Sequence, residues 1–308
     1  MARAPSSRGN DATRPPARSP SAKAGHGKRN AAQVVAASIR THWRRTRDEL
    51  MKVCGPRLDE HVHDLRVALR RLLSALEIAE CLDVRLPAKT QKSLERLLRS
   101  LSPLRDLEVQ KQTLERLGED HPELLPVAER LAQRRAALAR RLAQKLDDFA
   151  PELVERALDH GAQQLEAETS VPEVARILVL AAIVRRYTKF DRRRRAVAGD
   201  DRHALHAVRV AFKKYRYAVE VALPLLPREA ERALSAMKLF QDELGAIQDA
   251  GVLIDTLSGV KPSHRGPNPT QALLGALKQA QRRRIEATTI ALGAQVTAVP
   301  PAFSEIFG

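Results

Sequence analysis

The sequence predicts an all-α protein built from two four-helix bundle repeats, related by pseudo-two-fold symmetry and joined by a connector helix. Three observations carry that expectation. Strong helix formers (Ala, Leu, Arg, Glu and Gln) dominate a chain of 308 residues in which 3% are aromatic and only 14 are Gly. That composition serves neither an all-β fold nor a sheet enzyme with Gly-rich turns. Helical patterning, punctuated by Pro and Gly, runs from Ala31 to about Leu292. Finally, the chain repeats itself at an offset of 143 residues, so that its first four helices map onto its last four.

The elements follow from the breaks. The first helix, 31–53, stops at Gly55-Pro56. The second, 58–82, ends before Pro87, and the third, 86–118, ends before Pro122. The fourth, 122–148, gives way at Pro151 to the connector helix 151–167. Pro172 opens the sixth, 173–197, and Gly199-Asp200 separates it from the seventh, 202–225. Pro227 precedes the eighth, 228–258, and the stretch from Pro262 to Pro269 precedes the ninth, 269–292. Repeat one is therefore 31–148, the connector 149–171 and repeat two 172–292. A basic tail, 1–30, lies before them and a short tail, 293–308, after.

With 53 Lys and Arg against 37 Asp and Glu, the net charge is +16. Six of those units fall in the tail 1–30, whose Pro, Ser, Ala and Gly cannot bury enough apolar surface to fold. The tail suits a solubilising segment, a loose arm for an anionic partner, or a transit peptide. The remaining +10 belongs to the helical part, which implies a polyanionic partner without saying which. No stretch approaches the roughly 18–20 apolar residues of a membrane span. The best run, Ile177 to Val184, is closed by Arg176 and Arg185 and is expected to be a buried turn or two of helix. With no secretory signal either, a cytoplasmic protein without a membrane partner is expected. Cys54 and Cys81 exclude a disulfide framework or a Cys-rich zinc module and are read as reduced core residues.

The repeat is sharpest between 63–77 and 206–220, where six of fifteen positions are identical, among them His63, Arg66 and Glu77 against His206, Arg209 and Glu220. The same offset places Asp106 on Asp249 and Thr113 on Thr256. At about 100° per residue, Leu205, Val208, Phe212, Tyr215 and Val219 form an apolar stripe. His206, Arg209, Lys213 and Arg216 form a second stripe beside it. The first copy has Val62, Leu65, Leu69, Leu72 and Leu76 beside His63, Arg66 and Arg70, with Leu73 where Arg216 stands in the second. A solvated face lies opposite the core, whereas this basic row abuts it. No acid occurs from Arg202 to Val219 to neutralise it from within the helix. A basic face open to solvent would explain one such stripe. The same pattern repeated at one offset points to a groove that takes an anion.

These residues carry a family resemblance. His63-Asp-Leu-Arg66-Val-x-x-Arg70-Arg71 resembles the first motif of the CHAD domain, the conserved-histidine α-helical domain, and Ser102-Pro-Leu-Arg105-Asp106-Leu-Glu-Val109 the second. His206-x-x-Arg209-x-x-x-Lys213-Lys214-Tyr215-Arg216-Tyr217-Ala-x-Glu220 resembles the third, and Leu244-Gly245-x-x-Gln248-Asp249-x-x-Val252 the fourth. The match spans about 31–292. The resemblance implies two four-helix bundles around a basic channel that binds inorganic polyphosphate and, in bacteria, association with polyphosphate granules. A non-catalytic protein without a cofactor is expected. Carried over residue by residue, the binding set is His63, Arg66, Arg70, His206, Arg209, Lys213 and Arg216, with Arg71 and Lys214 second. Ser102 stands where the family usually has Gly and Leu73 where it often has Arg, so the first copy is expected to supply less charge. No Glu-x-Glu-x-Lys signature of a CYTH domain is present, which implies a stand-alone CHAD protein.

The same residues offer other chemistries. His203 and His206 share a helix face, but two ligands among Arg and Lys make a poor metal site, and His61 and His63 do not share one. Phosphotransfer through His63 or His206 lacks the Lys and Gly that phosphotransfer helices place after the histidine. Asp106 and Asp249 suit helix-packing salt bridges or orientation of a channel Arg; Tyr215 suits the core, and Tyr217 either the core or a phosphate. Non-specific nucleic-acid binding through the tail and Arg192 to Arg195 is the main competitor. Against it stand a single Asn in the helical region, Asn268, and too few aromatics for base stacking. The oligomeric state is not legible.

Overall fold

The computed structural model describes residues 30–53, 58–118, 121–167, 171–199, 201–259 and 269–294. The basic tail, Cys54 and the segment around Val299 to Phe303 lie outside the described residues. Among the described residues the fold is all α. The helices are α1 (Ala31–Val53), α2 (Leu58–Ala79), α3 (Ala88–Gly118), α4 (Leu125–Asp147), α5 (Pro151–Ala167), α6 (Pro172–Arg195), α7 (Arg202–Ala222), α8 (Glu229–Ser258) and α9 (Pro269–Ala294). They agree with the sequence reading to within a few residues. Where that reading extended a helix too far, the chain tightens into a 3₁₀ turn, at Glu80–Leu82, Pro122–Leu124 and Leu223–Leu225. The first of these turns ends at Asp83, whose φ of 60° reverses the chain.

Helix starts show local chemistry. The Asn30 side chain accepts from the backbone N–H of Ala32 at 2.9 Å, and Asp201 accepts from His203 and Ala204 at 2.8 and 3.0 Å, capping α1 and α7. Pro103 lies within α3 and removes one backbone hydrogen bond there.

The core is built from the predicted stripes. Val62, Leu65, Leu69, Leu72 and Leu76 on α2, and Leu205, Val208, Phe212, Tyr215 and Val219 on α7, are all buried. α1 packs on α2 and α5, α6 on α7, and α2 against α7. Half of the chain's few aromatics are concentrated in one place. Tyr187 and Phe190 on α6, Phe212 and Tyr215 on α7, and Phe240 on α8 meet with ring centroids 4.7–6.4 Å apart. That cluster packs one face of α7 against α6 and α8, and the basic row lies on the adjoining face, toward α2. A second, smaller core joins α3, α4 and α8 through Leu107, Leu114, Leu124, Val127, Leu131, Leu253 and Leu257. Beside it the Thr256 hydroxyl donates to Gln110 at 2.8 Å.

One expectation is corrected. The apolar run from Ile177 is not wholly buried. Val179, Leu180, Ala182 and Ile183 are, but Ile177 is 60% exposed and Leu178 40%, because α6 offers only one side to α1 and α7 at that level. Among the described residues, no helix is long and apolar enough to cross a membrane.

Candidate functional site

The two basic rows meet. A cleft of about 470 Å³ is walled by α2, α3, α7 and α8, the elements that carry the four motifs. Of the nine residues singled out from the sequence, seven line it: His63, Arg66, Arg70, Arg71, Arg209, Lys213 and Arg216. The other two do not. His206 is exposed and its Nδ1 lies 2.9 Å from Gln248 Oε1 on α8, outside the cleft lining. Lys214 is exposed and its Nζ donates to Glu77 Oε1 at 2.8 Å.

The cleft adds residues that the binding set omitted. Arg105, Asp106, Lys238, Gln241, Asp242 and Asp249 all line it. A signal for Arg105 was present in the repeat. It is the first-copy equivalent of Gln248, so each motif histidine, His63 or His206, faces a long polar side chain at the same register. Lys238 has no such signal, since its equivalent is Glu95. Asp106 and Asp249 are not helix-packing salt bridges. Among the described residues neither has a cation within ion-pairing distance, and both face the cleft, where Asp106 acts through space on Arg66 and Asp249 on Arg209.

In all, eight Arg and Lys and four Asp line the cleft. Two of the cations are anchored on protein partners. Arg71 pairs with Glu220, and Arg216, only 8% exposed, donates its Nε–H to Gln241 at 2.9 Å and lies 4.5 Å over the Tyr217 ring. Arg66, 7% exposed, reaches the Leu101 carbonyl at a long 3.4 Å. The other five differ. Among the described residues, no ion pair or hydrogen bond engages the heads of Arg70, Arg105, Arg209, Lys213 or Lys238. The Arg209 Nε is, in addition, buried without any partner.

Electrostatics registers this crowding. Burial pushes the Lys213 ammonium down from 10.5 to about 6, and Arg209, Arg70 and Arg66 add to the shift. Burial and then Arg70 push Arg66 down to about 10, against Asp106. Burial also lowers Arg209, with Asp249 opposing. His63 is lowered by burial and by Arg105. The Asp249 carboxyl is raised by burial, which outweighs the pull of Arg209 and Arg105.

Around this cleft runs a reciprocal pair of ion pairs. Arg71 of α2 pairs with Glu220 of α7, while Lys214 of α7 pairs with Glu77 of α2. These are equivalent positions of the two motif copies. Burial works against the ionisation of Glu77, but Lys214 and Arg186 outweigh it and hold its carboxyl below the ordinary range. The run Arg192 to Arg195 is largely committed elsewhere. Arg193 donates to the Ala207 carbonyl and Arg194 to the Leu292 carbonyl, and Arg195 pairs with Asp191. Among the described residues, no group of three or more His, Cys, Asp and Glu side chains is placed to hold a metal ion.

The arrangement can hold a dense row of negative charge. Among the described residues it offers no stacking platform, because the one aromatic lining it, Tyr217, is already covered by Arg216.

Comparison with known proteins bears on the same region. The family model described as the CHAD domain matches residues 21–258, which takes in all four elements of the cleft. The crystal structure of the CHAD domain from the plant Ricinus communis aligns at 22% identity with a TM-score of 0.60, covering 88% of this chain and 88% of that one. This is a likeness of fold. PptA from Streptomyces chartreusis aligns at 16% identity with a TM-score of 0.48, covering 85% of this chain and 98% of that one. A comparison with curated proteins finds no match.

Proposed function

This chain belongs to the CHAD domain family, and from that premise we propose that it binds linear inorganic polyphosphate in the α2–α3–α7–α8 cleft without catalysing a reaction on it. One observation carries the reading: both motif copies deliver cations to a single cleft, and five of those heads have no protein partner among the described residues. Concentrating like charge in a half-buried site costs stability unless an anion neutralises it. A chain of phosphates does so at every unit. Arg gives it bidentate hydrogen bonds and Lys a point charge, and many such contacts on one chain act together. The reciprocal Arg71–Glu220 and Lys214–Glu77 pairs support a pseudo-two-fold docking of repeats 31–148 and 172–292 around that chain. An association with polyphosphate granules follows as part of the same proposal.

Non-specific nucleic-acid binding is disfavoured by the covered Tyr217 ring and by the internal commitments of Arg193, Arg194 and Arg195. The test is titration calorimetry with long-chain polyphosphate. The double substitution Arg209→Ala, Lys213→Ala should weaken binding far more than removal of residues 1–29. Long-chain polyphosphate should displace nucleic acid at equal phosphate concentration. Loss of binding on tail removal alone, displacement in the opposite direction, or phosphate release under turnover conditions would sink the proposal.

A further inference from the structure

Lys213 of α7 lines the cleft half-buried, and its surroundings are unusual for a lysine. From α2 it faces Arg66 and Arg70, from its own helix Arg209, and from α8 Asp249. Further round the same cleft lie His63, Asp64 and Arg71 on α2, Arg105 and Asp106 on α3, Arg216 and Tyr217 on α7, and Lys238 and Asp242 on α8. Three guanidiniums thus crowd one half-buried ammonium, and no carboxylate among the described residues pairs with it. Arginine cannot relieve such crowding by losing its proton, but lysine can.

Resting on the reading that this cleft holds polyphosphate, we propose that Lys213 makes binding proton-linked: the empty cleft keeps Lys213 as a neutral amine, and each phosphate chain taken up brings about one proton from solvent onto it. The proton adds to the Nζ lone pair and the buffer is its source, so no covalent bond to the ligand forms. The shift of Lys213 to about 6 places the empty protein on the neutral side at pH 7 to 8. A polyphosphate chain replaces the repulsive field with an attractive one and restores the ammonium. By linkage, a group that is neutral when free and charged when bound weakens binding about tenfold per pH unit across the interval between its two pKa values. Here that interval begins near 6. His63 is likewise lowered by burial and Arg105, but its recovery runs back toward an ordinary 6.5, whereas that of Lys213 runs toward 10.5, so linkage above pH 7 falls mainly to Lys213. The site is therefore one that loads at neutral or mildly acidic pH and unloads as pH rises.

The experiment is titration calorimetry of the full chain with long-chain sodium polyphosphate at pH 7.5, in buffers of different ionisation enthalpy. A long chain is used so that its weakly acidic end groups contribute little. The native protein is expected to take up about one proton per binding event and to lose about tenfold in affinity per pH unit between pH 7 and 9. Lys213→Arg, which keeps the charge at every pH, should bind with that uptake removed and with affinity nearly flat over the same range. Lys213→Met should bind more weakly and also without uptake. His63→Gln should leave the uptake at pH 7.5 in place. Native binding without proton uptake, or unchanged uptake in Lys213→Arg, overturns this inference while leaving the polyphosphate reading intact. No binding of polyphosphate by the native chain overturns both.

Discussion

On the proposed function, Glu220 is the residue at which holding the fold together and binding a polyanion pull in opposite directions. Its Oε1 pairs with Arg71 from the facing motif copy, and its Oε2 lies 3.5 Å from the Arg216 guanidinium one turn away. Both arginines line the cleft. Glu220→Gln keeps the shape and removes the charge. The Arg71–Glu220 side chains are 23% and 22% exposed, so the pair is partly desolvated, and losing it costs about 1–2 kcal/mol. For a chain of this size that is a fall of roughly 2–4 °C in Tm. Binding should move the other way. The cleft gains one net positive charge, which at a distance of about 8 Å through water is worth ~0.5 kcal/mol, or about a twofold gain in affinity. It should also free the Arg71 guanidinium for phosphate, while Arg216 keeps Gln241 and the Tyr217 ring, steepening the salt dependence by roughly 0.7 in log–log slope. Thermal melts followed by circular dichroism, and titration with long-chain polyphosphate over 50–300 mM salt (a range on the order of that used for counterion analysis), read both effects. If affinity falls together with Tm while the variant is fully folded at the assay temperature, Glu220 orients arginines that the ligand needs and the competition argument is wrong. If Tm does not move, the Arg71–Glu220 pair does not brace α2 on α7.

Three further outcomes are expected. Lys213→Met should stabilise the empty protein while weakening ligand binding. The folded pKa of Lys213, about 6, lies below its unfolded value of 10.5, so the destabilisation is full below pH 6 and fades as pH rises toward 10.5; the gain in Tm should be largest near pH 6 and nearly absent near pH 10. His206→Ala should leave polyphosphate affinity within about twofold, because His206 bonds Gln248 outside the cleft lining, whereas Arg209→Ala should cost about tenfold or more, the loss of a charged hydrogen-bond donor; parallel titrations decide. The unpartnered heads of Arg70, Arg105, Arg209, Lys213 and Lys238 should give a log–log salt slope of about −3 to −4 at ~0.7 per neutralised phosphate, and Arg70→Ala should flatten it by about 0.7.

The fold was legible because its determinants are local. Pro87, Pro122, Pro151, Pro172 and Pro227 each fall at or beside an observed helix boundary, and the two apolar stripes are buried as spacing predicts. The candidate site was legible only in part, because it depends on how the two copies dock. Arg70 and Arg71 are neighbours in sequence, yet Arg70 is left to the cleft while Arg71 is taken by a glutamate of the other repeat. Lys213 and Lys214 divide in the same way. The 100° stripe already sets Arg70 and Lys213 apart from Arg71 and Lys214, but it does not show that glutamates of the opposite copy take the latter two. A clue did exist: Glu77 and Glu220 are identical across the repeat, six positions beyond Arg71 and Lys214, and an acid kept in register beside a basic row invites a cross-copy partner. Arg105, Lys238 and the aspartates escaped for a different reason. α3 and α8 have a neighbour on more than one side, so the apolar residues are spread around them and no polar stripe stands out.

The charge balance between the copies turns this into an argument about the ligand. Leu73 in place of an arginine led to the expectation that the first copy supplies less charge. The structure instead finds four cations from each side. Arg66, Arg70, Arg71 and Arg105 come from α2 and α3, and Arg209, Lys213, Arg216 and Lys238 from α7 and α8. What the first copy lacks at Leu73 it supplies at Arg105, where the second copy has Gln248. A reader of bases could not tolerate that exchange, because each base edge needs a donor or acceptor at one fixed place. A uniform chain of phosphates can, since it meets a cation with equal effect almost anywhere along the cleft. The two copies thus preserve the amount of charge and not its address, which is the pattern a repetitive, featureless polyanion permits.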